Sequence, residues 1–547
     1  MVWLLFGNTH FKYTCSARFL SPLMRRKIDF SLGLSVAMMA GFVAAVLSFS
    51  SSALAADSLT VKTKTGKVMG KADGNIRAFL GIPYAQPPVG TLRWKPPVPA
   101  AKWKGVRQAT EFGSHCMQPA IYKDMIFRDP GISEDCLTVN VWTPAANAKA
   151  KLPVMVWIFG GGFLAGGTSE RRQDGTTLAK NGVVVVSMNY RLGIFGFFAH
   201  PGLTAESPNK ASGNYGLMDQ TAALKWVRDN IAAFGGDPEK VTLFGESAGS
   251  FSVSSQMASP LAKGLFIHAI GESGGAFAGR GLAYKPLAEA ETQGADFGKT
   301  VLSATTIEQL RAIPAQQLME AKAPAGVRFG PDVDGYFLPQ SVAELFAAKK
   351  QNNVPLIAGW NRDEGGINAK TTLETFNAEA TKEFAASAPD FLKAYSASTD
   401  AEAVRAAADF AGDRFIAFTT WEWLEAAVTD GTQPVYRYRF DWVTPEDEFH
   451  PGGTASYHSS EIPYVFGALN LLTGYKWRPE DYKMSELMQK YWSNFAKTGD
   501  PNGEGLPKWP TYNGDSGWQV MHLTPDAAAQ PDAHRDRYLF LRQQWAK

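Results

Sequence analysis

Cysteine and histidine are scarce in this chain, three and eight among 547 residues, and no group of them has metal-ligand spacing. A metal centre built from those side chains is therefore not expected. Also missing is any serine-rich, proline-rich or charge-block segment that would divide the sequence, and no repeat period is visible. A chain of this length without a linker reads as one large domain with insertions. A concentrated basic field is absent too: lysine and arginine total 54 against 52 aspartates and glutamates. With no basic-aromatic cluster, nucleic acid is excluded as an expected partner. The composition, 45% apolar and 19% charged, gives no case for disorder.

What is present begins with an address. Arg25-Arg26-Lys27 precedes an apolar run over residues 32–49, and Ala53-Leu54-Ala55 supplies the small residues that a signal peptidase needs. The reading is a signal region over residues 1–55 with its true start at Met24 and cleavage after Ala55, followed by a single domain over residues 56–547. An uncleaved anchor is the competing reading, because the run is barely long enough to span a bilayer. Its cleavage-like end favours removal, so a periplasmic or secreted chain without a stable membrane anchor is expected. Losing Lys12, Arg18, Arg25, Arg26, Lys27 and Asp29 turns the formal charge of +2 into about −2. Cys15 goes with that region, leaving Cys116 and Cys136, 20 positions apart. In an exported chain two cysteines most simply pair, and two buried free thiols are the alternative if the chain is not exported.

The chemistry centres on residues 240–250. A short β-branched and aromatic run, residues 241–244, is followed at once by Gly245-Glu246-Ser247-Ala248-Gly249. This is G-x-S-x-G, a strained strand-to-helix turn that lifts one serine oxygen clear of the backbone. Gly245 and Gly249 are small because side chains there would strike the neighbouring strand and helix. Residues 251–262 are long enough for a helix whose positive end sits beneath the serine. A second copy, Gly271-Glu272-Ser273-Gly274-Gly275, also follows an apolar run, but glycine-broken sequence comes after it. Context selects Ser247.

Fully apolar runs over residues 153–159, 183–189, 241–244 and 354–359 read as buried strands. Between the second and third, residues 216–234 carry Leu217, Leu224, Val227, Ile231 and Phe234 on one helical face, with Asp219, Gln220 and Arg228 assigned elsewhere. Apolar strands separated by helices predict a mostly parallel sheet covered on both faces. Alanine-rich residues 282–346 and 371–427 read as helical insertions over its ligand-binding edge.

An acyl-transfer serine needs a base and an acid that orients the base, in the chain order serine, acid, histidine. Asp363 and Glu364 directly follow a strand run, and both are candidate acids. Of the later histidines, His458 has a small-residue approach and an apolar continuation, whereas His450 and His534 read as solvated surface. Gly160-Gly161-Gly162 can turn backbone N–H groups towards an oxyanion. The same glycines fit a dinucleotide fingerprint, but a polar loop follows instead of a helix.

Together with residues 79–97, Glu134-Asp135-Cys136-Leu137, Asn189-Tyr190-Arg191-Leu192-Gly193 and residues 458–467, these motifs resemble the type-B carboxylesterases. That α/β-hydrolase family includes cholinesterases and bacterial para-nitrobenzyl esterases, and the resemblance spans nearly all of residues 58–545. It implies an α/β-hydrolase fold with a central mostly parallel sheet, helices on both faces and helical insertions over the active site. By resemblance Ser247 is the nucleophile, Glu364 the acid and His458 the base. Gly161, Gly162 and Ala248 form the oxyanion hole, and Ser273 and Glu246 support the triad. Cys116 and Cys136 match a family disulfide, while Arg93 with Glu134 and Arg191 with Asp219 match buried ion pairs. The implied activity is an exported serine ester hydrolase that needs no cofactor and acts on a small to medium uncharged ester. Residues 116–136 lack the tryptophan with which cholinesterases bind choline, so a quaternary ammonium substrate is not favoured. The family also resembles adhesion proteins that have lost the triad, which makes an inactive binding protein the alternative; all three triad positions are filled here.

Overall fold

The computed structural model describes residues 59–545, apart from 278–282, 451 and 454. The expected signal region, Met24, Cys15 and the cut after Ala55 lie outside the described residues. Among those residues the core is an 11-stranded sheet. Its strands are β1 (Lys71–Asp73), β2 (Ile76–Pro83), β3 (Thr138–Thr143), β4 (Leu152–Ile158), β5 (Val184–Met188) and β6 (Gly236–Glu246), then β7 (His268–Glu272), β8 (Leu356–Asn361), β9 (Val435–Phe440), β10 (Gln519–Leu523) and β11 (Ala528–Pro531). Across the sheet the order is β1-β2-β3-β5-β4-β6-β7-β8-β9-β10-β11. Every pairing from β5 to β10 is parallel, and the pairings outside that block are antiparallel. Four of the parallel strands, β4, β5, β6 and β8, contain the continuous apolar runs of the sequence, whereas β7, β9 and β10 carry histidine, glutamate, arginine or glutamine. Val184, Val185, Val186, Leu243, Phe244, Ile357 and Ala358 have no exposure, because helices cover both faces.

Helix α1 (Tyr215–Asn230) runs on through a 3-10 turn, Ile231–Phe234, and stops at Gly235, whose φ of 89° is left-handed. Two polar residues assigned to its outer face are in fact buried. Asp219 is drawn in by Arg191, and Gln220 donates to Ser252 Oγ at 2.9 Å. Helix α2 (Ala248–Ala258) starts directly after Ser247, earlier than the sequence pattern placed it. Its first turn, Ala248-Gly249-Ser250, looks like loop by composition, yet a Cβ at Gly249 would lie 2.0 Å from the Ile158 carbonyl oxygen. Small size there allows helix and sheet to touch. The insertions carry α3 (Asp400–Gly412) and α4 (Phe418–Asp430), joined by a π-helical turn, Asp413–Ala417. Helix α5 (Pro479–Thr498) covers β4 and β6.

Candidate active site

Register brings the chemistry to one edge of the sheet. Glu246, the last residue of β6, pairs with Glu272, the last of β7, and Glu272 in turn lies beside Gly359 of β8. Ser247, Ser273 and Glu364 therefore emerge from neighbouring strand ends. Ser247 has φ 54° and ψ −123°, a strained conformation for a residue with a side chain, costing about 1–3 kcal/mol. Its N–H donates to the Glu272 carbonyl at 2.8 Å, and its carbonyl accepts from Phe251 at 2.9 Å. A Cβ on Gly245 would lie 2.7 Å from the Ile158 oxygen and from Gly249. Ser273 has the same φ of 54° but no exposure, against 7% for Ser247.

His458 Nε2 lies 2.9 Å from Ser247 Oγ, and its Nδ1 lies 2.6 Å from Glu364 Oε2. The carboxylate at Nδ1 holds the ring proton there, which leaves the Nε2 lone pair facing the hydroxyl. Glu364 Oε1 accepts from Ser273 Oγ at 2.6 Å and from the Asn361 N–H at 2.8 Å. Those two donors hold the carboxylate towards the imidazole. Asp363, the other candidate acid, is committed elsewhere: it accepts from Arg362, Arg405 and the Ser456 N–H.

Burial works against a charged His458, but the Glu364 and Glu246 carboxylates outweigh it and raise the imidazole pKa. Glu246 Oε1 is 3.2 Å from His458 Nε2. Burial, opposed by His458 and reinforced by Glu461 and Glu364, pushes Glu246 up to about 8. Glu461 rises to about 7 by burial and the nearby Glu364. Glu272 is also raised, by burial and then by Glu461. The site therefore rests on a layer of buried carboxyl groups that resist ionising together.

His450 and His534, expected at the solvated surface, are half-buried. His450 stacks on Tyr457 with ring centroids 3.8 Å apart and bonds Asp447, while burial and then Arg537 and Arg439 push His534 down to about 4. Neither contacts Ser247 or Glu364 by hydrogen bond.

The glycine run lies against the nucleophile. A Cβ at Gly160 would be 2.9 Å from Ser247 Cβ, and one at Gly161 would be 2.1 Å from the Ala165 carbonyl oxygen. Gly161 and Gly162 have φ of 100° and 66°, which only glycine adopts freely. Turns rather than a helix follow them, so the pyrophosphate site of a dinucleotide fold is not formed. Cys116 and Cys136 form a disulfide, and their loop brings Met125 to Gly161 and Tyr122 to Gly162. At the base of that loop Arg93 grips Glu134 at 2.7 and 2.6 Å.

Three neighbours of the site were not singled out by sequence. Phe415, in the π-helical turn, meets the His458 ring edge-on at 5.1 Å. Arg328 donates to the Gly162 carbonyl. Glu272 was visible only as part of the second G-x-S-x-G copy, and Phe415 and Arg328 carry no local motif at all.

Comparison with known proteins bears on the whole chain. A family model described as the carboxylesterase family matches residues 57–540. The chain is 37% identical over 502 residues to the fumonisin B1 esterase of Sphingopyxis macrogoltabida, covering 86% of this chain and 89% of that one. It is 36% identical over 480 residues to the para-nitrobenzyl esterase of Bacillus subtilis (strain 168), covering 83% and 92%. A solved PNB esterase structure superposes with a TM-score of 0.76 at 34% identity, covering 88% of this chain and 99% of that one.

Proposed function

The chain belongs to the carboxylesterase family and hydrolyses carboxylic esters, and we propose that it does so through an acyl-enzyme on Ser247. His458 takes the serine proton as Oγ attacks the ester carbonyl, then returns it to the leaving alcohol. The same imidazole activates water to release the acid. Glu364 keeps the imidazole in the required tautomer, and the N–H groups of Gly161, Gly162 and Ala248 receive the oxyanion. The observation that carries this reading is the unbroken chain from Ser247 Oγ through His458 to Glu364, with links of 2.9 and 2.6 Å. The substrate is a small to medium ester without a quaternary ammonium group. We further propose that the chain is exported after removal of residues 1–55. The Cys116–Cys136 disulfide supports that reading, and no helix among the described residues is long and apolar enough to cross a membrane.

The test is a pair of serine variants assayed on an aryl ester. Ser247→Ala should lower kcat by roughly a thousandfold or more and abolish labelling by a fluorophosphonate. Ser273→Ala should keep appreciable activity and full labelling. The opposite pattern would reassign the nucleophile, and an unlabelled wild-type chain would favour the inactive binding protein.

A further inference from the structure

The cations around this site are nearly all neutralised. Arg172 is paired with Glu170 and Asp124, Lys285 with Glu289, and Arg414 with Glu383. Arg328 is different. Its guanidinium donates to the Gly162 carbonyl, and no carboxylate among the described residues pairs with it. Arg328 is solvent-exposed as a residue, and the partial desolvation of its guanidinium pulls its pKa down against the opposing Tyr122 phenol. A guanidinium stays protonated even so, and one bond uses little of its five-donor fork. The Tyr122 hydroxyl converges on the same spot: a Cβ built on Gly162 would lie 2.8 Å from Arg328 Nη2 and 3.5 Å from that hydroxyl. Beside them a cavity of about 200 Å³ has walls of Phe163, Phe197, Tyr284 and Phe329, with Arg328 and the Glu289-paired Lys285 among its lining.

An uncompensated cation beside a phenol donor is a site for a carboxylate. Its position assigns the half of the substrate that carries this group. The leaving alcohol has to face His458, which returns its proton, whereas Arg328 stands against Gly162. We propose that the substrate is a half-ester of a short dicarboxylic acid, its second carboxylate received by Arg328 and Tyr122 while the acyl chain fills the aromatic cavity. This rests on the Ser247 and Gly162 roles proposed above, and it replaces the uncharged ester expected from sequence with an anionic one.

The experiment compares kcat/KM for monoethyl glutarate and ethyl valerate, which share an acyl length, with the butyrate ester of glycolate carrying the carboxylate on the alcohol instead. Arg328→Ala should lower the glutarate-to-valerate ratio by about tenfold or more, whatever common factor it imposes on both esters through Gly162. The loss should appear mainly in KM. Arg328→Lys should restore part of the ratio, Arg328→Glu should depress it further, and high salt should shrink it in the wild type. An unchanged ratio in all three variants would mean that Arg328 only pins the Gly162 peptide, and the proposal would be overturned. A loss confined to the glycolate ester would overturn it equally. If the wild type cleaves ethyl valerate in a Ser247-dependent way, the proposed function stands whichever result appears; if it cleaves none of the three esters, both readings fall.

Discussion

His458 is asked to be a base while carboxyl groups surround it, and that tension has a measurable consequence. The imidazole acts only when neutral, and Glu364 and Glu246 favour its protonated form over the opposition of burial. A raised pKa means that the inactive imidazolium persists to higher pH. Activity should therefore be lost, as pH falls, through an acid limb lying above the ordinary imidazole value of about 6.5. Glu246→Gln removes one of the two carboxylates without removing volume, so the limb should move to lower pH. A kcat/KM profile of both forms reads this directly, and a limb that stays in place or moves upward would show that Glu246 does not tune the base. Glu364→Gln is not equivalent, because it also disturbs the tautomer that the 2.6 Å bond selects.

At the scale of elements, the loop after β5 is tied to α1 by a buried ion pair. Arg191 meets Asp219 through Nε at 2.8 Å and Nη2 at 2.7 Å, and its N–H donates to the same carboxylate at 3.1 Å. Neither residue is solvent-exposed. Asp219→Ala would strand a guanidinium in the interior, at a cost of about 3–5 kcal/mol, whereas replacing both partners with apolar residues should recover much of it. Denaturant midpoints of the single and double variants would show this, and equal losses would mean that the pair contributes no mutual attraction. This contact also marks where sequence reading stops. Helical periodicity put Asp219 and Gln220 on the outer face because periodicity knows only apolar and polar, not that Arg191 and Ser252 wait opposite. The elbow was legible because its chemistry and its backbone requirement fall within five consecutive residues, and β4, β5, β6 and β8 were legible because their buried stretches are continuous apolar runs. Choosing between Asp363 and Glu364 needed either family resemblance or coordinates, since the choice depends on which carboxylate Arg362 and Arg405 claim. Phe415 and Arg328 could not be read at all: each reaches the site only through the folding of an alanine-rich insertion.

At the scale of the molecule, the fold and its compartment are linked through Cys116 and Cys136. Residues 56–547 form one compact unit by themselves, so a chain starting at Ala56 should retain the whole sheet and the whole site. The disulfide closes a loop over a separation of 20 residues, which in the chain-entropy account is worth roughly 3 kcal/mol. That loop also carries Tyr122 and Met125 to the glycine run, so its loosening should reach the chemistry as well as the stability. Production from Ala56 in an oxidising compartment should therefore give a fully active enzyme. Production in a reducing cytosol should give the same fold with a lower denaturant midpoint and a raised KM, both restored by oxidation. The midpoint and KM measured before and after a mild reductant decide this. If reduction changed neither, the loop would be held by its other contacts, chiefly Arg93 on Glu134, and the disulfide would carry no argument for export.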